Sequence, residues 1–374
     1  MASLAIRNLI YDKIRLVVTL TGVVFAVVLF SIQIGLFFGF KRATADIIDH
    51  SGADIWIAGQ DVSYLENGVN MNEQKRYDVL ENPDVEIADK YLVDFAQFKV
   101  ASGSEEGILL IGFNPDTGLG GPWNLTAGSV KDLKQADTII IDELYKEKLK
   151  VTELGQIVEI LGKRARVVGF TRGIRTFTTS PAVFTSFKNA QTYRGLSENQ
   201  VVYLLVKAKA GADVLKLKEN LLSRLQNVEV YTNEEFSAHT QSYWMFGTGA
   251  GVTVLIAATL GLIVGVVVVA QTIYSATMDH LKEFGTLKAM GASNGYIYRV
   301  IIKQAVISAI IGYAVGISIA LTAVYISQQG QTAIVLPMSV VIALFGLTLL
   351  MCVGASLISI NKVTHLDPAM VFKG

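Results

Sequence analysis

The sequence predicts a membrane protein, with four transmembrane α-helices and a large α+β extracytoplasmic domain inserted between helices 1 and 2. The first observation is where charge is missing. Gln304–Asn361 is 58 consecutive residues without Asp, Glu, Lys or Arg, and Leu16–Phe40 is another such run of 25. Between Phe236 and Met278 the one titratable side chain besides tyrosine is His239. An ionised side chain at the bilayer centre costs roughly 2.5–3.5 kcal/mol, and about 20 apolar residues cross the hydrocarbon, so lipid selects such runs. The second observation is charge segregation: residues 41–235 hold 23 Lys/Arg against 28 Asp/Glu, and the remainder 9 against 4. The third is a change of period within 41–235, where short β-branched alternating runs replace continuous apolar ones.

Each element follows in order. Residues 1–15 read as an amphipathic stretch on the cytoplasmic side, and 16–40 as helix 1. A signal peptide is the competing reading, but its apolar core is about 7–15 residues and ends at small residues. Here the run is 25 residues and ends in Phe37-Phe38-Gly39-Phe40-Lys41-Arg42, so it reads as a retained helix. Residues 41–247 form the inserted domain with its stalk. Strands are expected at Ile55–Ala58, Leu92–Val100, Ile108–Phe113, Thr138–Ile141, Ile157–Leu161, Ala165–Phe170, Val201–Val206 and Val228–Tyr231. Helices are expected at Asn72–Leu80, Asp142–Leu149 and Ala212–Leu225. Asn114–Pro122, rich in glycine, reads as a long turn between two halves. Helix 2 is placed at 248–274, a connecting loop and helix at 275–299, helix 3 at 300–326, an external turn at 327–336, helix 4 at 337–360, and a tail at 361–374. Ser327-Gln-Gln-Gly-Gln331 breaks the long run, and Pro337 suits a first helical turn.

Orientation follows from the short segments. Arg7, Lys13 and Arg15 precede helix 1; Lys282, Lys288, Arg299 and Lys303 lie between helices 2 and 3; Lys362 and Lys373 follow helix 4. The positive-inside rule then puts both termini and the 275–299 connection in the cytoplasm and the 41–247 domain outside. The excess of cations is thus membrane topology, and no nucleic-acid partner is expected.

The inserted domain offers no catalytic or metal constellation. The histidines at 50, 239, 280 and 365 are scattered without ligand spacing, and the single cysteine, Cys352, falls within helix 4. Asp142-Glu143 read as a solvated face, since adjacent side chains point apart. Gly155 to Gly162-Lys163-Arg164 superficially resembles a phosphate loop, but it is too long and has Arg where Ser/Thr must hold magnesium, so it reads as a hairpin turn. Asn124-Leu-Thr126 matches a glycosylation sequon by pattern alone. Helices 3 and 4 contain no ionisable chain apart from Lys303 and tyrosine, which argues against an ion-coupled transporter.

The densest signal is Asp279-His-Leu-Lys-Glu-Phe-Gly-Thr-Leu-Lys-Ala-Met-Gly-Ala-Ser293. Its helix formers predict a short amphipathic helix, with Gly291 as C-terminal cap and Ser293 capping the next helix. A simple returning hairpin with positive-inside lysines is the bland alternative. Glu283 and Lys288 supply charged handles, and Phe284, Leu287 and Met290 an apolar face suited to a groove. Glycines recur four apart at Gly35/Gly39, Gly247/Gly251, Gly261/Gly265 and Gly312/Gly316, a spacing that lets helices approach closely, and one or two of these pairs are expected at a subunit interface.

Glu283-Phe284-Gly285-Thr-Leu-Lys288-Ala-Met-Gly291-Ala resembles the loop between helices 2 and 3 of the FtsX/MacB/Lol permeases of ABC transporters, the type VII or mechanotransmission family. Asp367-Pro368-Ala369-Met370-Val371 resembles that family's closing segment, and Leu4–Ile10 its amphipathic start. Phe284 stands where Ile is usual, and Met370-Val371 where Ala-Leu is usual. Leu110-Ile-Gly-Phe-Asn-Pro115 is most similar to DevC-type exporter permeases. The resemblance implies a non-catalytic subunit of a bacterial inner-membrane transporter, dimeric with a second copy of itself and surrounded by membrane lipid. The loop residues Glu283, Phe284, Gly285, Leu287, Lys288, Met290 and Gly291 would dock a separate cytoplasmic ATPase. ATP and Mg would sit on that partner, because this sequence carries no Walker A motif, and no cofactor or metal would bind this chain. Movement of the outer domain would drive efflux of a lipid-like, peptide or drug substrate, with a periplasmic membrane-fusion protein and an outer-membrane channel as further partners. The alternative implied is FtsX-like signalling, in which the same motion activates an external cell-wall hydrolase. A membrane enzyme with an external active site is the remaining reading.

Overall fold

A computed structural model describes residues 13–100, 103–178 and 180–364. Most of the expected N-terminal amphipathic stretch, His365 and the closing Asp367–Val371 segment lie outside the described residues. In chain order the elements are α1 (Lys13–Ala43), β1 (Ile55–Gly59), β2 (Met71–Asn72), α2 (Gln74–Leu80), β3 (Val85–Lys99), β4 (Glu105–Phe113), β5 (Leu125–Gly128), β6 (Thr138–Asp142), β7 (Ile157–Ile160), β8 (Lys163–Thr171), β9 (Ala182–Ser186), α3 (Phe187–Arg194), β10 (Gln200–Val201), β11 (Tyr203–Ala208), α4 (Val214–Arg224), β12 (Val228–Thr232), α5 (Asn233–Ser242), α6 (Ala250–Asp279), α7 (Leu281–Ala289), α8 (Asn294–Ser327) and α9 (Met338–Thr364). Single turns at Asp46–Asp49, Val130–Lys134 and Glu143–Leu149 join some of them.

Among the described residues, four helical segments are long and apolar enough to cross a membrane: Leu16–Ala43, Ala250–Asp279, Asn294–Ser327 and Met338–Ile358. Several of their threonine hydroxyls are satisfied within the helix, which suits a lipid environment. Thr259 donates to Leu255 O at 2.9 Å, Thr277 to Ile273 O at 2.8 Å and Thr348 to Leu344 O at 2.8 Å. α6 continues past Tyr274 to Asp279, because Ser275–Met278 contain no helix breaker. α8 starts at Asn294, earlier than Val300, with the Ser293 hydroxyl accepting from Tyr296 N–H at 3.4 Å.

The chain divides into two compact units. One holds the membrane helices. The other comprises Phe40–Val252 together with Gln328–Thr332. The turn 328–332, expected as a separate external loop, therefore belongs to the inserted unit.

The inserted unit is built on a ten-stranded sheet ordered β12-β1-β11-β3-β4-β9-β6-β8-β5, with β7 attached to β3 and β8. β3 joins its two halves: Tyr91 pairs with Tyr203 of β11, and the next residue, Leu92, pairs with Gly112 of β4. The β4·β9 and β6·β8 pairs are parallel and the others antiparallel. Strands β1, β6 and most of β4, β9 and β11 are buried, which is why they read as unbroken apolar runs. Trp56 of β1 is fully buried against Tyr91, Tyr203 and Phe236, and its indole donates to Asn233 Oδ1 at 2.9 Å.

The Gly155–Arg164 segment is the β7–β8 hairpin, with Ile160 opposite Lys163. Its two turn residues, Leu161 and Gly162, have φ of 48° and 76°, the positive values that two-residue hairpin turns demand. Several expectations need correction. The helix expected over Asp142–Leu149 is a 3-10 turn, Glu143–Tyr145, followed by one α turn. Val201–Val206 is divided between β10 and β11, and β3 begins at Val85. β2, β5, β9, α3 and α5 were not among the expected elements.

Candidate functional site

The α7 segment is folded back onto the start of α8. Phe284 is 1% exposed and packs with Ile297, Val300 and Ile301, with Leu287 half-buried against the same cluster. This corrects the expectation that Phe284, Leu287 and Met290 form one apolar face for a groove. An amphipathic helix buries its apolar side against the nearest apolar surface, and here that surface is α8. Gly285 is buried too, so a large side chain there would disturb α7 packing directly.

What remains outward is a different set. Met290 is 72% exposed and Tyr296 is 45% exposed. Glu283 is exposed, with Oε2 3.0 Å from His280 Nδ1 one helical turn back, and Lys288 is half-exposed. Gly291 takes φ +92° immediately after the helix, the left-handed value that a glycine terminator supplies without steric cost. The surface is thus a short rigid ridge with both charges and one long apolar side chain.

The repeated glycines are used within the chain. A Cβ at Gly312 would lie 2.6 Å from Val23, and one at Gly316 2.8 Å from Val27, both on α1. Gly265 faces Ala26 at 3.1 Å, and Gly261 faces Gln33 at 3.4 Å. Gly35 faces Ile334 at 2.5 Å, Gly39 approaches the Ala333 carbonyl, and Gly251 faces Met245 at 2.6 Å. These pairs hold helix against helix, or helix against its neighbouring turn, inside one subunit.

In the inserted unit, no group of three or more His, Cys, Asp or Glu could hold a metal among the described residues. Asp142 is 0% exposed, contrary to the solvated face expected of it. It ends β6, where its carboxylate accepts from Leu144 N–H at 3.0 Å, Thr171 Oγ1–H at 3.0 Å and Ile174 N–H at 2.8 Å. It is a structural anchor with all its neighbours spoken for. Glu143 accepts from Thr126 at 3.0 Å.

Glu66 was not singled out by its sequence context. Among the described residues its Oε2 is buried without a hydrogen-bond partner, as is the indole nitrogen of Trp244. Burial pushes its pKa up to about 7, offset in part by its own backbone N–H and the nearby Trp244 indole. Tyr64, stacked on Tyr243 at 4.3 Å, closes the same region. Tyr243–Gly247 form a π-helical turn between α5 and α6, an irregularity common where helices carry function.

A family model described as the MacB-like periplasmic core domain matches residues 16–224, and one described as the FtsX-like permease C-terminal matches 242–368. An uncharacterized ABC transporter permease of Methanocaldococcus jannaschii is 25% identical over 179 residues, 46% of this chain and 43% of the relative, so that alignment spans less than half of the relative's length. An uncharacterized ABC transporter permease of Mycobacterium tuberculosis is 22% identical over 379 residues, 99% of each protein. The periplasmic region of MacB from Actinobacillus actinomycetemcomitans is a similar solved structure, at 13% identity, covering 50% of this chain and 94% of that one, with a TM-score of 0.38. With one family model covering more than half of the chain and a second covering the region from the π-helical turn through α9, the chain belongs to the MacB/FtsX family of ABC transporter permeases.

Proposed function

We propose that this permease couples ATP hydrolysis by a separate cytoplasmic ATPase to movement of its periplasmic domain, and that the movement drives export or extraction of a lipid-like, peptide or drug substrate. The observation that carries this reading is the two-sided packing of α7. Its inner side, Phe284 and Leu287, is joined to the first turns of α8, while Glu283, Lys288 and Met290 lie toward the outside. A force applied to that ridge is a force on a membrane helix, since packed side chains transmit displacement with little give. The 9 Lys/Arg against 4 Asp/Glu outside residues 41–235 favour α7 and both termini on the cytoplasmic side, where such an ATPase resides.

The helices themselves favour mechanical work over conduction. Threonine hydroxyls along them are occupied by their own backbone, and no buried carboxylate or cation marks a path through α8 or α9 among the described residues. The match to a MacB-like core domain supports export over activation of a cell-wall hydrolase. A second copy of the chain, a periplasmic membrane-fusion protein and an outer-membrane channel complete the proposed assembly, with ATP and Mg held by the ATPase alone.

The test is Glu283→Arg in the full-length chain. Membrane insertion and abundance should stay at the wild-type level, and stimulation of the ATPase by the permease should be lost. Undiminished stimulation would remove Glu283 from the docking ridge.

A further inference from the structure

One loop of the inserted unit touches three chain segments that lead into or out of membrane helices: the end of α1, the turn into α6 and the turn that joins α8 to α9. Arg172–Ser180 follows β8. Its Phe177 ring lies 4.4 Å from Phe40, close to the C-terminal end of α1. The same ring lies 4.5 Å from Trp244 in the π-helical turn that leads into α6. Arg175 donates from Nε to Gly330 O at 3.0 Å and from Nη2 to Gln328 O at 2.6 Å, both in the turn that joins α8 to α9. All of these contacts lie within the inserted unit.

The loop is not a passive filler. Its base is fastened to the central strands by Asp142, which accepts from Ile174 N–H and Thr171 Oγ1–H, and Ile174 is fully buried. Thr176 Oγ1 donates to Ser180 O at 2.7 Å, which closes the loop on itself. Arg175 Nη1 donates to Gly173 O at 3.2 Å, so the guanidinium is held in its own loop while two further N–H groups reach the turn. The turn 327–336 carries no charge, yet it follows the C-terminus of α8, where unsatisfied carbonyls favour a cation. Arg175 supplies it, and its rigid fork makes two bonds where a lysine would make a single point contact.

We propose that Arg172–Ser180 is the mechanical junction of this permease, with Arg175 as the positioning residue that fastens the α8–α9 turn to the periplasmic domain and Phe177 as the ring that senses α1 and α6. This rests on the reading above that the membrane helices move on ATP turnover. A displacement of any one helix end must then either break its contact or drag the loop, and Asp142 passes the drag into β6, in the interior of the sheet.

The test uses the full-length permease with its ATPase in lipid nanodiscs. Cys352→Ala removes the single native thiol, and a nitroxide at Gln331→Cys reports on the turn. Without nucleotide, Arg175→Ala should shift the nitroxide spectrum to a several-fold larger mobile fraction, and Arg175→Lys to an intermediate one. An unchanged spectrum would overturn the fastening, whatever the ATPase does. With nucleotide, hydrogen exchange across residues 130–186 should change in the wild type. In Arg175→Ala that change should be lost while ATP hydrolysis and complex assembly persist. A wild-type response in Arg175→Ala would overturn the transmission role. A wild-type protein whose domain ignores nucleotide would overturn the underlying coupling reading together with it.

Discussion

Phe284 and Met290 share one short helix and have opposite surroundings, 1% and 72% exposed. Phe284→Ala should destabilise the α7–α8 packing by about 3 kcal/mol, as loss of a buried ring does, and thermal melting of the solubilised protein reads it. Met290→Ser should leave the melting temperature unchanged and weaken ATPase binding. Equal melting losses in both variants would contradict the two-sided arrangement. Glu66 makes a prediction about pH. Its folded-state pKa, about 7, lies above the ordinary carboxylate value of 4.5, and burial is the main cause. The folded state therefore holds the proton more tightly than the unfolded one. The stabilisation is fully present below pH 4.5 and is lost as pH rises through about 7. It amounts to something on the order of 3 kcal/mol. Glu66→Gln should flatten this part of the stability profile between pH 5 and 8, measured by melting of the full chain, and a profile unchanged by the substitution would refute it.

At the scale of elements, helices and hairpins differ in how much the sequence discloses. Charge-free runs disclose the membrane helices, since lipid imposes one rule on every side of them. The β7–β8 hairpin is legible because Leu161-Gly162 separates two alternating runs. α5 carried a legible signal too, the Thr232-x-x-Glu235 capping box in which each side chain accepts the other's backbone N–H, although apolar periodicity alone missed it. β9 is harder, because a five-residue run with its first four residues all buried lacks the alternation that marks a strand. The glycines illustrate a different limit: their spacing announces close helix approach without naming the partner. The structure names α1 for Gly312 and Gly316. Gly312→Leu should therefore destabilise the solubilised monomer by about 1–3 kcal/mol through overpacking against Val23. Gly346, with nothing within 4 Å of its Cβ position among the described residues, should accept leucine with no change in monomer melting. A tolerated Gly312→Leu would contradict the packing described.

For the whole molecule, composition alone conveys little, because a net charge of zero conceals an acidic inserted domain and basic membrane flanks. The proposed docking ridge was half legible. Its residue types were visible in Glu283–Gly291, but which of them turn inward depends on α8, whose first turns supply the surface that takes Phe284. The junction at Arg175 was not legible, since its partners Gln328 and Gly330 lie more than 150 positions away and offer backbone carbonyls that leave no mark in a sequence. The central claim is that this chain is the membrane subunit of an ABC transporter acting through a separate ATPase. Affinity purification of the tagged, detergent-solubilised chain, with mass spectrometry of what accompanies it, tests that most directly. The account predicts an ABC ATPase in stoichiometric amount, lost from the Glu283→Arg protein. A chain that purifies without any ATPase would contradict it.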